Sequence, residues 1–302
     1  MVQRRDVEFT GEGGVTLRGW LFEPDGAGPY PAITMAHGFA GVKEHGLEPF
    51  ARLFSDAGFT VLVHDHRGFG GSDGSPRFDI DPWVQIADWR RAISFLETLP
   101  TVDANRIGLW GSSYAGGHAI VLGATDRRLR AVVAQVPTVS GFQQSLRRVA
   151  PEEVAALEAA FIDDDRNQYH GEPPVTQAVV SSDPNVPAAY RAQDAVTFYQ
   201  QPVPPGAWSN TVTVRSSRSA RNYEPGIFIS RVSPTPLLMI VALQDTITLT
   251  DLALSTYEQA LQPKKLVTIT GGHFDPYRRY FESSSTAARG WFVEHLNSPD
   301  NN

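Results

Sequence analysis

RIGLWGSSYAG, residues 106–116, is the stretch on which the reading of the whole chain turns. An apolar strand runs to Trp110, Gly111 follows, Ser113 comes two residues later, and small residues then open a helix. This is a strand, a sharp turn and a helix with a serine at the tip. The tip backbone is strained and tolerates only small neighbours, which Gly111, Ala115 and Gly116 provide. The helix start also sets backbone N–H groups and the positive end of the helix dipole beside any oxyanion that forms there. The usual pattern is G-x-S-x-G, and Ala115 stands in its last place, a sterically mild departure. Ser112 is the competing serine, one place off the tip and expected to point away. Alone, the pentapeptide could be no more than a Gly/Ser-rich helix cap.

Working outward, short apolar runs alternate with amphipathic segments. AITMA (32–36), TVLVHD (60–65), 131–136, LLMIVAL (237–243) and LVTIT (266–270) read as buried strands. Segments 47–57, 81–99, 251–261 and 284–296 read as helices, with Gly58 closing the first and Asp81 and Pro82 starting the second. Uninterrupted apolar strands separated by helices indicate a mostly parallel eight-stranded sheet with helices on both faces, with residues 6–22 adding antiparallel strands at one edge. Residues 140–230 break this rhythm with DDD (163–165), several prolines and TVTVRSSRSARN (211–222). So long a segment without structure is improbable, and it is read as a partly helical cap inserted into a core made of 1–139 and 231–302. SPDNN (298–302) reads as a disordered tail.

A serine nucleophile needs a base and an acid. Gly271-Gly272-His273 follows a late strand, and a histidine on a glycine loop beyond a strand end can reach across the sheet edge. His37, His64, His66 and His118 have weaker positions, and His45, His170 and His295 read as surface residues. Asp245 ends the strand before and precedes His273 by 28 residues, room for a helix and one strand. The order Ser, Asp, His follows the elbow logic. Asp251 is the runner-up acid but reads as the N-cap of the following helix. After AITMA comes His37-Gly38-Phe39, where the N–H of Phe39 could join that of Tyr114 as an oxyanion donor.

Composition removes several classes. The 302 residues are 41% hydrophobic and 20% charged, an ordinary globular balance. The net charge of −7 and the absence of any Lys/Arg block exclude nucleic acid as a partner. With no cysteine there is no disulfide, thiolate metal site or cysteine nucleophile. MVQRRDVEFT carries no apolar stretch behind its arginines and no run reaches membrane-spanning length, so a cytoplasmic protein is the expectation. His64 and His66 form H-x-H on a strand, but no further ligand falls at a recognised metal spacing. The glycines of DHRGFGGSDG (65–74) do not match a dinucleotide fingerprint. Arg67 is read there as an organiser of loops. No cofactor and no metal is expected, and a homodimer is compatible with the sequence.

AHGFAG (36–41), DHRGFGGSDG, GSSYAG (111–116), ALQD (242–245) and GGHFD (271–275), in this order and spacing, resemble the α/β-hydrolase superfamily across nearly the whole chain. Dienelactone-hydrolase-like and acyl-peptidase-like members are the most similar. The Ser113-Tyr114 pair is also similar to the cocaine esterase and X-prolyl peptidase group, and the chain resembles proteins named polyketide transferases. The resemblance implies an α/β-hydrolase fold and the roles given above: Ser113 nucleophile, His273 base, Asp245 acid. The function expected is hydrolysis of a small carboxylic ester, lactone or related acyl compound through an acyl-enzyme. An acyltransferase, a thioesterase or a peptidase-like activity would use the same groups. Aromatic residues of the cap, Phe142, Tyr190, Phe198, Tyr199, Trp208 and Tyr223, either line a substrate pocket or pack the cap onto the sheet; Phe142, Tyr199, Trp208 and Tyr223 are the pocket candidates.

Overall fold

AITMA, TVLVH and LLMIVA have no polar face to offer solvent, and the chain buries both of their sides. The computed structural model describes residues 3–297; SPDNN lies outside them. The elements in chain order are β1 (Gln3–Thr10), β2 (Thr16–Glu23), β3 (Tyr30–Ala36), α1 (Glu48–Asp56), β4 (Thr60–His64), α2 (Pro82–Glu97), β5 (Val102–Ser112), α3 (Tyr114–Thr125) and β6 (Leu129–Gln135). Then come α4 (Gly141–Arg148), α5 (Val154–Tyr169), β7 (Thr176–Val180), β8 (Ala188–Tyr190), α6 (Gln193–Tyr199), β9 (Val212–Thr213) and α7 (Val214–Arg221). The chain closes with β10 (Leu237–Ala242), α8 (Thr250–Glu258), β11 (Lys264–Ile269) and α9 (Phe281–Leu296).

The main sheet has eight strands in the order β1-β2-β4-β3-β5-β6-β10-β11. Strand β2 is antiparallel to both its neighbours, and the pairs from β4 to β11 are parallel. Helices cover both faces. On one, Phe50 and Phe54 of α1 and Trp291, Phe292 and Leu296 of α9 pack on Phe22, Ile33, Trp110 and Ile240. On the other, Trp89, Ile93 and Leu96 of α2 and Ile120 and Leu122 of α3 pack on Leu21, Leu62, Leu109 and Met239. Each such side chain, fully buried, contributes about 1.5–3 kcal/mol. Among the described residues no helix is long and apolar enough to cross a membrane.

Local chemistry fixes several boundaries. The Asp81 carboxylate accepts from the N–H groups of Trp83 and Val84 and starts α2. Arg67 grips Asp88 through two 2.6 Å hydrogen bonds and adds a third to the Glu12 carbonyl, tying the loop after β4 to α2 and to the β1–β2 turn. The segment between β6 and β10 is more mixed than a partly helical reading foresees. It contains a three-stranded sheet, β8-β7-β9, beside its helices. Asp251 is not the N-cap of α8: Leu249 holds that place without a side-chain cap, and Asp251 sits exposed in the first turn, paired with Arg147.

The chain order of the strands positions the loops that matter. Strands β4 and β5 flank β3 on opposite sides, so the loops leaving β3 and β5 lie next to each other, at a reversal of strand order. Ala36 is in register with Gly111, and Ala242 with Ile269. Residues just beyond these four positions therefore emerge at one carboxyl edge of the sheet.

Candidate active site

Ser113 leads into α3 with φ 60° and ψ −121°, a left-handed conformation that side chains other than glycine rarely adopt. Its neighbours permit this turn. A Cβ on Gly111 would stand 2.1 Å from the Ala115 carbonyl oxygen, so only glycine fits there. Ser113 N–H donates to the Gln135 carbonyl at 2.9 Å and pins the tip to the end of β6. Ser112, fully buried, points away: its hydroxyl accepts from Tyr277 at 2.5 Å and from Gln135 at 3.2 Å.

Three side chains from separate strand ends meet here. His273 Nε2 lies 2.8 Å from Ser113 Oγ, and His273 Nδ1 lies 2.7 Å from Asp245 Oδ2. His273 and Asp245 are buried, whereas Ser113 keeps some exposure. Asp245 is held by its own turn, with Oδ1 accepting from the N–H groups of Ile247 and Thr248, each at 2.8 Å. The Thr248 hydroxyl donates to Oδ2 at 2.8 Å. Burial works to raise the Asp245 carboxyl; the charge and hydrogen bond of His273, with those from Thr248, outweigh it and leave it below its ordinary value. Asp251, far more exposed and committed to Arg147, takes no part.

The loop after β3 closes against the serine. A Cβ on Gly38 would lie 3.0 Å from Ser113 Cβ and 3.3 Å from its Oγ, so glycine allows this approach. His37 orients the loop: its Nδ1–H donates to the Gly38 carbonyl at 2.9 Å, and Nε2 accepts from His66 N–H at 3.1 Å. Burial lowers its pKa and keeps it neutral. Phe39 follows Gly38, and Tyr114 is the first residue of α3, whose N–H has no intrahelical acceptor.

The segment between β6 and β10 bears on this same loop. Tyr199 of α6 donates its hydroxyl to the Phe39 carbonyl at 2.6 Å, and Trp208 Nε1 donates to the Ala40 carbonyl at 2.8 Å. Tyr199 and Phe198 line a cavity of about 10 Å³ with Ser113, His273, Phe274 and Tyr277. That is roughly the space of one water. A larger cavity of about 140 Å³ lies behind Phe39 and Tyr114 and reaches Arg148, Tyr190 and Arg221.

Residues 13–275 match the family described as X-Pro dipeptidyl-peptidase (S15 family). The chain belongs to the S15 family. It is an α/β-hydrolase superfamily member with the corresponding fold. This S15-family chain is 33% identical over 281 residues to a protein named thiohydrolase from Eupenicillium brefeldianum, covering 91% of this chain and 89% of that one. It is 33% identical over 243 residues to the quorum-quenching protein AidA of Acinetobacter baumannii, covering 80% and 79%. Among solved structures, the α/β hydrolase GrgF of Penicillium sp. sh18 superposes with a TM-score of 0.85 at 29% identity, covering 98% and 99%. A polyketide transferase grgF of Penicillium sp is 31% identical over 277 residues, covering 90% of each chain. A hydrolase or acyl-transfer role fits this S15-family company.

Of the four aromatic pocket residues chosen from sequence, Tyr199 alone lines either cavity. Phe142 is 46% exposed at the start of α4. Trp208 serves the Ala40 loop, and Tyr223 is buried with its hydroxyl 2.8 Å from His118 Nδ1. His45 is not a surface residue: it is buried against Tyr199 and Trp208, with Nδ1 accepting from Val42 N–H and Nε2 near the Tyr199 carbonyl. Sequence reading missed Arg148, Arg221 and Thr248. The first two carry no motif; the hydroxyl three residues after Asp245 was the available signal for the third.

Proposed function

We propose that this chain is a serine hydrolase that cleaves a small ester, lactone or thioester through an acyl-enzyme on Ser113. The observation that carries this reading is the unbroken chain of contacts from Ser113 Oγ to His273 and from His273 to Asp245. His273 Nε2 takes the proton of Ser113 as Oγ attacks the acyl carbon, and Asp245 stabilises the resulting imidazolium. The N–H groups of Phe39 and Tyr114 receive the oxyanion, each contributing about 3 kcal/mol in the transition state. Water, activated by the same histidine, then releases the acid. The relatives named thiohydrolase favour thioesters among these substrates.

Residues 140–230 act as a cap over a core made of 1–139 and 231–302. The relatives named polyketide transferase support a second reading, in which an alcohol or another nucleophile takes the acyl group. Hydrolysis comes first because the matching family is one of peptidases and several relatives are named thiohydrolase.

The test is a panel of acetyl, butyryl and hexanoyl thioesters, p-nitrophenyl esters and γ-lactones against purified protein, with and without added alcohols. Wild type should turn over thioesters and label with a fluorophosphonate, and Ser113→Ala should do neither. Equal turnover by both proteins would refute the assignment of Ser113.

A further inference from the structure

The cavity behind Phe39 and Tyr114 carries an unbalanced charge. Among the described residues its lining includes Arg148 and Arg221 and no aspartate or glutamate. Arg221, in the last turn of α7, has a side chain only 13% exposed. Among the described residues its one ion pair is Nη1 with Glu158 at 3.2 Å, from a glutamate side chain that is 50% exposed. Buried Nη1 makes no hydrogen bond, and among the described residues no acceptor is hydrogen-bonded to the rest of the guanidinium. Arg148, more exposed, lies 4.8 Å from the centre of the Tyr190 ring, hydrogen-bonds the Tyr190 hydroxyl and donates to the Ile247 carbonyl, which leaves part of its guanidinium free to face the cavity. The Tyr114 hydroxyl, on the same cavity, is buried and makes no hydrogen bond among the described residues.

A guanidinium has five donors, and leaving those of the buried Nη1 without a hydrogen bond is costly. Native proteins rarely leave such groups without a function. Two arginines and a tyrosine hydroxyl around one space, opposed by a single half-exposed glutamate, form a receptor for an anion, and a planar carboxylate matches the fork of an arginine. The wall of this space is made by the side chains of Phe39 and Tyr114, whose rings meet edge to face at 5.6 Å. The backbones of these residues flank Ser113. An acyl chain directed past this pair would reach the cavity, whose 140 Å³ is about fourteen times the space beside Ser113. That accommodates a short chain with a terminal charge.

We infer that the cavity bounded by Tyr114, Arg148 and Arg221 selects acyl groups ending in a carboxylate, so that the substrates are half-esters or half-thioesters of short dicarboxylic acids. This rests on the proposed acyl-enzyme at Ser113 and adds to it the chemistry of the far end of the acyl group. The test compares the N-acetylcysteamine thioesters of adipic acid and of its terminal amide. These two have nearly the same shape and differ in charge. Wild type should prefer the carboxylate in kcat/KM by about tenfold or more, the equivalent of one charge-assisted contact. In Arg221→Met that ratio should fall by about tenfold, whereas Glu158→Gln, which removes the competing carboxylate, should raise it.

A wild-type ratio of one or less overturns the inference, as does an undiminished ratio in Arg221→Met. Should Arg221→Met fail to fold, Glu158→Gln decides: a raised ratio supports the receptor and an unchanged one overturns it. Two thioesters cleaved equally would defeat only the cavity assignment. Failure of wild type to cleave either, with no fluorophosphonate labelling of Ser113, would defeat the acyl-enzyme reading beneath it.

Discussion

Lowering the pH from 7.5 to 5.0 should cost this protein several kcal/mol of stability, through histidines the fold keeps neutral. His45 is buried and its pKa falls to about 4; His64 and His118, also buried, fall to about 3. Burial is the largest cause in each. His37 and His66 are displaced in the same direction. Their surroundings suit the neutral ring: His118 stands between the Tyr223 hydroxyl and the Gln85 side-chain carbonyl, at 2.8 and 3.0 Å. In the unfolded chain each ionises near pH 6.5. The unfolded state therefore binds protons that the folded state refuses, and stability falls as pH drops below about 6.5 toward the folded values. Each histidine withholds about 1.4 kcal/mol per pH unit, which is about 2 kcal/mol at pH 5. The three with given values together withdraw about 6 kcal/mol, against about 5–15 kcal/mol for a typical domain. Asp245 acts lower: its carboxyl is depressed, so its contribution is lost only below about pH 4. Glu44, raised by burial, works the other way and offsets at most one proton. Urea unfolding followed at intervals from pH 7.5 to 5.0 should show about two to three protons taken up on unfolding near pH 5.5. A slope corresponding to fewer than one proton would refute the burial of these rings as described.

Further outcomes follow from the contacts around Ser113. Asp245→Asn should reduce kcat by about 10⁴-fold by holding His273 in the wrong tautomer, whereas Asp251→Asn should stay within about twofold; steady-state kinetics on a butyryl thioester distinguishes the two acids. Thr248→Val removes a 2.8 Å hydrogen bond to the Asp245 carboxylate, a contact of about 1.5–3 kcal/mol, and should lower kcat/KM roughly tenfold or more while leaving the fold intact by circular dichroism. Gly111→Ala drives a methyl into the Ala115 carbonyl at 2.1 Å and should lower the urea midpoint and abolish labelling of Ser113, while Ala115→Gly should keep turnover within a few-fold.

The strands and the residues at their ends were legible because one physical constraint writes both. Strands buried on two faces must be uninterrupted apolar runs, and the loops leaving them need glycine where backbone passes close to a side chain. AITMA followed by HG, RIGLW followed by GSS, and LVTIT followed by GGH all show this. Asp245 and Asp251 could be ranked because one ends such a strand. The region from 140 to 230 was opaque for the opposite reason. Phe142 and Tyr199 are equally aromatic in sequence, yet one lies exposed and the other reaches the Phe39 carbonyl. Which side of a short helix faces the core depends on how the helix docks, and α4 and α6 are too short to reveal that by their own pattern. His45 was misplaced because it is buried by Tyr199 and Trp208, contacts more than 150 residues away in sequence.

If Ser113 reacts as proposed, two hydrogen bonds make access to it and stabilisation of the oxyanion depend on each other. About 10 Å³ beside Ser113 admits no acyl substrate, so residues lining this space, Phe198 and Tyr199 among them, have to give way for one to enter. Tyr199, however, holds the Phe39 carbonyl, and Trp208 holds the Ala40 carbonyl next to it. The peptide preceding the Phe39 carbonyl carries the N–H assigned to the oxyanion. Entry therefore loosens the loop that the transition state needs rigid, and closure over a bound substrate restores it. Replacing Tyr199 by phenylalanine keeps the ring that lines the cavity and deletes the 2.6 Å bond. A lost neutral hydrogen bond of about 1 kcal/mol, felt in the transition state, should lower kcat about fivefold. KM should move little, because the ring still bounds the cavity. A Tyr199→Phe enzyme with unchanged kcat and a raised KM would mean that the tyrosine only shapes the entrance, and the coupling of entry to the oxyanion loop would fall.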